Sequence, residues 1–223
     1  MHIEPGIVDG AKIALSYATA AGAAAWTLSQ AAEAVRQQGL ASLAARGTIA
    51  TIATFGFFQV LPHAPVGVSE VHLILGSTLF LLLGAGPAAI GLAAGLLLQG
   101  LLFAPSDLPQ YGMNVSTLIL PLLALAALAR RIVAPGTAYV DLSYGQTLAM
   151  SAAYQGGIVA WVAFWAFYGQ GAASLAGVAT FGAAYMTVLL LEPLVDLGVL
   201  AAAKRMRGLR GSALVTPRLH AAA

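Results

Sequence analysis

The chain has 223 residues, 60% of them hydrophobic and only 8% charged, against roughly 25% charged in an average soluble domain. Mean hydropathy is +0.86 and formal net charge is +2. So little polar surface excludes a cytosolic enzyme, a nucleic-acid reader and a disordered chain, and leaves an all-α, polytopic transmembrane helix bundle.

A helix needs about 20 apolar residues to cross the hydrocarbon. Seven apolar stretches read as spans: 12–35, 47–61, 71–83, 88–103, 114–128, 145–168 and 178–203. The third ends at Gly84-Ala85-Gly86-Pro87, a breaker cluster that reads as a tight turn before the fourth. The first carries Ala14, Ala18 and Gly22 at a spacing of four, a small-residue face expected to pack on another helix of the same chain. The first ten residues lack a basic n-region and a continuous apolar run, so no cleavable signal peptide is expected. The organisation predicted is one transmembrane domain over 1–203, then a short basic cytoplasmic tail over 204–223 whose last residues read as disordered.

The cations set the expected orientation. Arg36 and Arg46 follow the first stretch, Arg130 and Arg131 the fifth, and Lys204, Arg205, Arg207, Arg210 and Arg218 the seventh. With about seven spans and the N-terminus outside, all nine fall inside with the C-terminus, and only Lys12 is left outside.

That topology sorts the polar residues by side. His2, Glu4, Asp9, His63, Glu70, His72, Asp107 and Asn114 fall at or near the outer face. Imidazole is a common transition-metal ligand, and several on one face point to a metal site. A His at position two can chelate through the Met1 amine, its own amide nitrogen and Nδ1, forming adjoining five- and six-membered rings. A further imidazole completes a square of four nitrogens, which suits Ni²⁺ or Cu²⁺ and, less regularly, Co²⁺. The competing reading is a frayed terminus. His72 opens the third stretch, while His63 lies on the Pro-stiffened loop before it and reads as a solvent-facing residue. Asn114 is either a hydrogen-bond partner of a ligating His or a helix cap. Glu192 and Asp196 lie four residues apart on one face of the last stretch. Acids inside a membrane line a cavity, meet a partner's Arg, or form an interhelical hydrogen-bond network. Glu33 near Arg36 reads as an interfacial charge.

No Walker A loop, His-Glu-x-x-His or Gly-x-Ser-x-Gly is present. The chain is therefore read as a non-enzyme, with any ATP hydrolysis in partner subunits. With no cysteine, no disulfide or thiolate site can form. A scaffold without its own substrate, or a secondary transporter using Glu192 and Asp196, stand as alternatives.

Met1-His2-Ile3 with Gly6, Val68-Ser69-Glu70-Val71-His72-Leu73, Leu98-Gln99 and Gly112-Met113-Asn114 follow one another in the first 130 residues. In that order they resemble the substrate-binding membrane component of nickel or cobalt energy-coupling-factor ABC transporters, the CbiM/NikM type. The chain departs from that family at Glu4-Pro5 and at Glu70-Val71, where Ser-Gly-His is usual. The resemblance implies a seven-span fold and metal ligands at Met1, His2 and His72, with Asn114 supporting. His63 and Glu70 stand as additional residues. It also implies Ni²⁺ or Co²⁺ as cargo, no cofactor and no nucleic acid. The partners implied are a transmembrane coupling protein, ATPase subunits and often a small accessory membrane protein, in a bacterial or archaeal plasma membrane.

Overall fold

A computed structural model describes residues 2–206, 208 and 210–220. After a 3-10 turn (Gly10–Ile13), helix α1 runs Ala14–Gln59. Straight, its 46 residues would extend about 69 Å, more than twice the hydrocarbon thickness. Gly39, at φ 81° and ψ 168°, breaks it instead. That conformation is essentially restricted to glycine. The chain reverses there, because Ser16 near one end lies against Gly112 and Phe58 near the other lies against His72, at the same end of the bundle.

A small antiparallel hairpin follows, β1 (Ala64–Val66) on β2 (Ser69–Val71), with Pro65 opposite Glu70. Helices α2 (Gly76–Leu83) and α3 (Ala85–Leu102) are joined at Gly84. α3 packs closely on α1: a Cβ at Gly91 would lie 2.2 Å from the Ala50 methyl. α4 (Tyr111–Ile132), α5 (Tyr144–Gln170) and α6 (Leu175–Arg205) complete the bundle. α5 starts on a reciprocal Ser143–Gln146 capping box, which satisfies two otherwise orphaned N–H groups. Trp165, Tyr154, Tyr185, Phe181 and Leu118 fill the centre.

The seven expected stretches fall on helices, with two differences. Residues 36–46, expected as a connection, are helical except at Gly39. The third stretch is not one continuous crossing helix. Val71 belongs to β2 and helix begins only at Gly76, so α2 is eight residues, about 12 Å. Four helical stretches among the described residues are long and apolar enough to cross a membrane. The first includes the Gly39 reversal, and the last the Gly171 break between α5 and α6.

Ala14, Ala18 and Gly22 do not pack within the chain. They are exposed, and α1 turns Ser16, Ala23, Ala31 and Ala34 inward instead. The tail folds onto the bundle as far as it is described. Ser42 Oγ donates to the Ala213 carbonyl (2.6 Å), Thr216 N–H to the Leu82 carbonyl (2.8 Å), and Val215 and Leu219 are buried. The bundle thus has two chemically distinct ends. One gathers the N-terminal peptide, the hairpin and three histidines. The other gathers Arg36, Arg46, Arg130, Arg131, Lys204 and the tail.

Candidate metal centre

The N-terminal peptide is laid along β2. Ile3 makes an antiparallel bridge with Ser69. Glu70 N–H donates to the His2 carbonyl (3.0 Å), Glu4 N–H to the Val68 carbonyl (3.2 Å) and Ser69 Oγ to the His2 carbonyl (2.9 Å). Ile3 N–H donates to Asn114 Oδ1 of α4 (2.8 Å). Ile3 and Val8 are buried and anchor the peptide by their apolar side chains. These contacts remove the entropy that would fray a free terminus, and His2 is left only 3% exposed.

His72 follows β2 directly and is equally buried. The His2 and His72 ring centroids are 5.3 Å apart. Phe58 presents a T-shaped contact to each, at 6.2 and 5.2 Å, and forms an apolar wall. Nδ1 of His2 and Nε2 of His72 both lie 2.7 Å from one atom, Oε2 of Glu70. An ionised carboxylate only accepts, so each ring donates its N–H there. Nδ1 of His72 is then buried without a partner among the described residues. The three ligand atoms lie within 4.8 Å of one another, and two imidazoles with a carboxylate form a donor set for a divalent transition metal.

Burial keeps both rings in the neutral, uncharged form. Burial lowers His72 to about 3 despite the Glu70 hydrogen bond, and burial likewise lowers His2. Burial alone would raise Glu70, but the hydrogen bonds it accepts from His2 and His72 outweigh it and hold its carboxyl well below the usual range. Burial and the charges of Glu70 and Asp107 raise Glu4. Three carboxylates around two neutral imidazoles make this end attractive to cations.

The other expected residues are placed as follows. Met1 lies outside the described residues. His63 is exposed, yet its ring stacks on His72 at 4.9 Å and 9° and covers it. Asn114 neither caps α4, which starts after Gln110, nor bonds an imidazole; it holds the Ile3 amide. Asp107, on the 3-10 turn Pro105–Gln110, joins the site beyond the expected residues: its Oδ2 is 3.4 Å from His2 Nδ1. Its side of the membrane was readable, but its partner is 105 residues away and no local pattern announces it.

Glu192 and Asp196 form a structural network beneath the site. Glu192, fully buried, accepts from the Ile74 backbone N–H and from Gln155 Nε2, and Tyr185 donates to Gln155 Oε1. Asp196 accepts from the Ser77 and Thr78 hydroxyls at the start of α2. Glu192 holds the non-helical segment after His72, where Leu75 has φ 54°, and Asp196 holds the first turn of α2. Glu33 pairs with Arg36 at 2.7 Å.

The family described as cobalt uptake substrate-specific transmembrane region, CbiM, matches residues 2–209. No curated protein and no solved structure matches the chain. The match covers nearly the whole chain, including the peptide and hairpin that build the histidine site. The chain belongs to the CbiM family and is a membrane-embedded, metal-ion transport component of the nickel and cobalt type.

Proposed function

We propose that the chain captures Ni²⁺ or Co²⁺ at the outer face and passes it inward as the substrate-specific component of an ATP-driven energy-coupling-factor transporter. The observation that carries this reading is the convergence of His2 Nδ1 and His72 Nε2 on one buried point, now taken by Glu70 Oε2. An ion entering there displaces that oxygen from between the rings. Its ligands are the Met1 amine, the His2 amide and Nδ1, and His72 Nε2. The amine and amide release protons on binding. Ile3, Asn114 and the hairpin fix the peptide, so that little ordering remains to be done when the ion arrives. The histidine end faces outside and the arginine end inside, a placement that the distribution of cations supports. A transmembrane coupling protein, two ATPase subunits and a small accessory membrane protein supply energy and complete the assembly.

The test is accumulation of radioactive Co²⁺ and Ni²⁺ by cells expressing the chain with its coupling protein and ATPases. Uptake is expected with the wild type and not with His2→Ala. Uptake unchanged in His2→Ala contradicts the proposal.

A further inference from the structure

A cavity of about 490 Å³ opens at the end of the bundle opposite the histidines. It lies among α1, the Gly84 turn, the end of α4 and the folded tail, and three guanidinium groups line it: Arg46, Arg130 and Arg218. Their one acidic neighbour in the lining is Glu33, which is already engaged by Arg36 at 2.7 Å. Arg46 is only 1% exposed. Its Nε donates to Ser42 Oγ (3.1 Å) and its Nη1 to the Leu83 carbonyl (2.7 Å), but its Nη2 has no partner among the described residues. Arg218 lies over the Tyr139 ring at 5.0 Å, and its Nε is also without a partner there.

A buried guanidinium with no counter-charge is costly, and the unsatisfied Nη2 of Arg46, with the unpartnered Nε of half-buried Arg218 beside it, calls for an anionic acceptor. The N-terminus of α3, an 18-residue helix, opens on the same space at Ala85, Gly86 and Pro87, adding the positive end of its dipole. Guanidinium forks match the oxygen geometry of phosphate. The cavity also lies where α4 ends and the tail folds back, at the cationic end of the bundle, and basic pockets between membrane helices take anionic lipid heads.

We propose that this cavity is a phosphate-binding site, filled by the headgroup of an anionic phospholipid or by free inorganic phosphate. The ligand holds the tail, through Arg218, against α1 and α4, through Arg46 and Arg130. The site is separate from the histidine cluster and does not depend on the metal reading.

The test is thermal unfolding of the full chain in a non-ionic detergent at fixed ionic strength. Sodium phosphate and dioleoylphosphatidylglycerol are titrated separately, with sodium chloride as control. The variants are Arg130→Gln and Arg218→Gln, which leave the buried Arg46 in place and are compared by circular dichroism and by unfolding temperature without probe. A saturable rise with phosphate alone assigns the free anion. A saturable rise with the lipid but not with phosphate assigns the headgroup. Either rise is expected to need at least tenfold more probe in each variant. No saturable rise with either probe, as when the cavity instead receives an acidic side chain of a partner protein, overturns the proposal. So does an equal rise in the variants.

Discussion

His2 and His72 share one acceptor oxygen, and that geometry fixes what each substitution should do. His72→Ala removes a proposed ligand from a formed pocket, so tight metal binding is expected to vanish while helical circular dichroism is retained. Asn114→Ala leaves the buried Ile3 N–H without its acceptor, at a cost of about 1–3 kcal/mol. The peptide loosens, and metal affinity measured by titration should fall without being lost. The pH dependence of the metal-free protein follows from the same cluster. His72 sits at about 3 in the fold against 6.5 when unfolded, His2 is also lowered, and Glu70 lies below its ordinary 4.5. The unfolded chain therefore binds more protons than the folded one in mild acid. The histidine contribution is lost as pH falls from about 6.5 toward 3, and the Glu70 contribution as it falls below about 4.5. The unfolding temperature should drop across that window, and His72→Gln should flatten the drop above pH 4.5. An equally steep drop in that variant would show that His72 does not titrate as described. At this scale His2 was legible because position two has a chemistry of its own, and His72 because it stands on the same outer side, although it follows β2 rather than starting a helix. Asp107 and the stacking of His63 were not, because each depends on a long-range contact.

Among the elements, α1 depends on Gly39. A Cβ there meets nothing within 4 Å, so Gly39→Ala acts through backbone strain alone, of about 1–3 kcal/mol. A lowered unfolding temperature is expected; an unchanged one would contradict the reversal. Gly91→Leu is expected to do more, since its Cβ has no room against Ala50. The apolar stretches were visible in the sequence as lengths of hydrophobicity. The boundary inside 71–83 was not, because Leu73, Ile74 and Leu75 are as apolar as a helix interior. What holds Ile74 out of the helix is Glu192 of α6, which accepts from its amide. The connection at 36–46 reads as a loop from its charges, yet Gln37, Gln38, Ala41 and Ser42 are compatible with helix, and Gln38 and Ser42 meet the folded tail. Small residues on α1 gave no indication of which side faces the bundle, because alanine occurs on every face of that helix.

For the whole molecule, the separation of His2, His63 and His72 from the arginines to opposite ends gives the membrane orientation a direct test. The chain has no cysteine, so single cysteines report without background. Asp9→Cys should react with a membrane-impermeant maleimide in intact cells, and Arg210→Cys only after permeabilisation; the reverse pattern would invert the orientation. The N-terminal peptide brings His2 to His72, and the proposed function requires that the two rings hold a metal ion. The most direct measurement is calorimetric titration of Ni²⁺ and Co²⁺ into detergent-purified protein with a free, untagged Met1. It should be run beside His2→Ala, His72→Ala and a form with one residue inserted before His2. One tight site in the wild type, absent from all three variants, is the expected result. No tight site in the wild type, or full affinity in any of the three, would contradict the account.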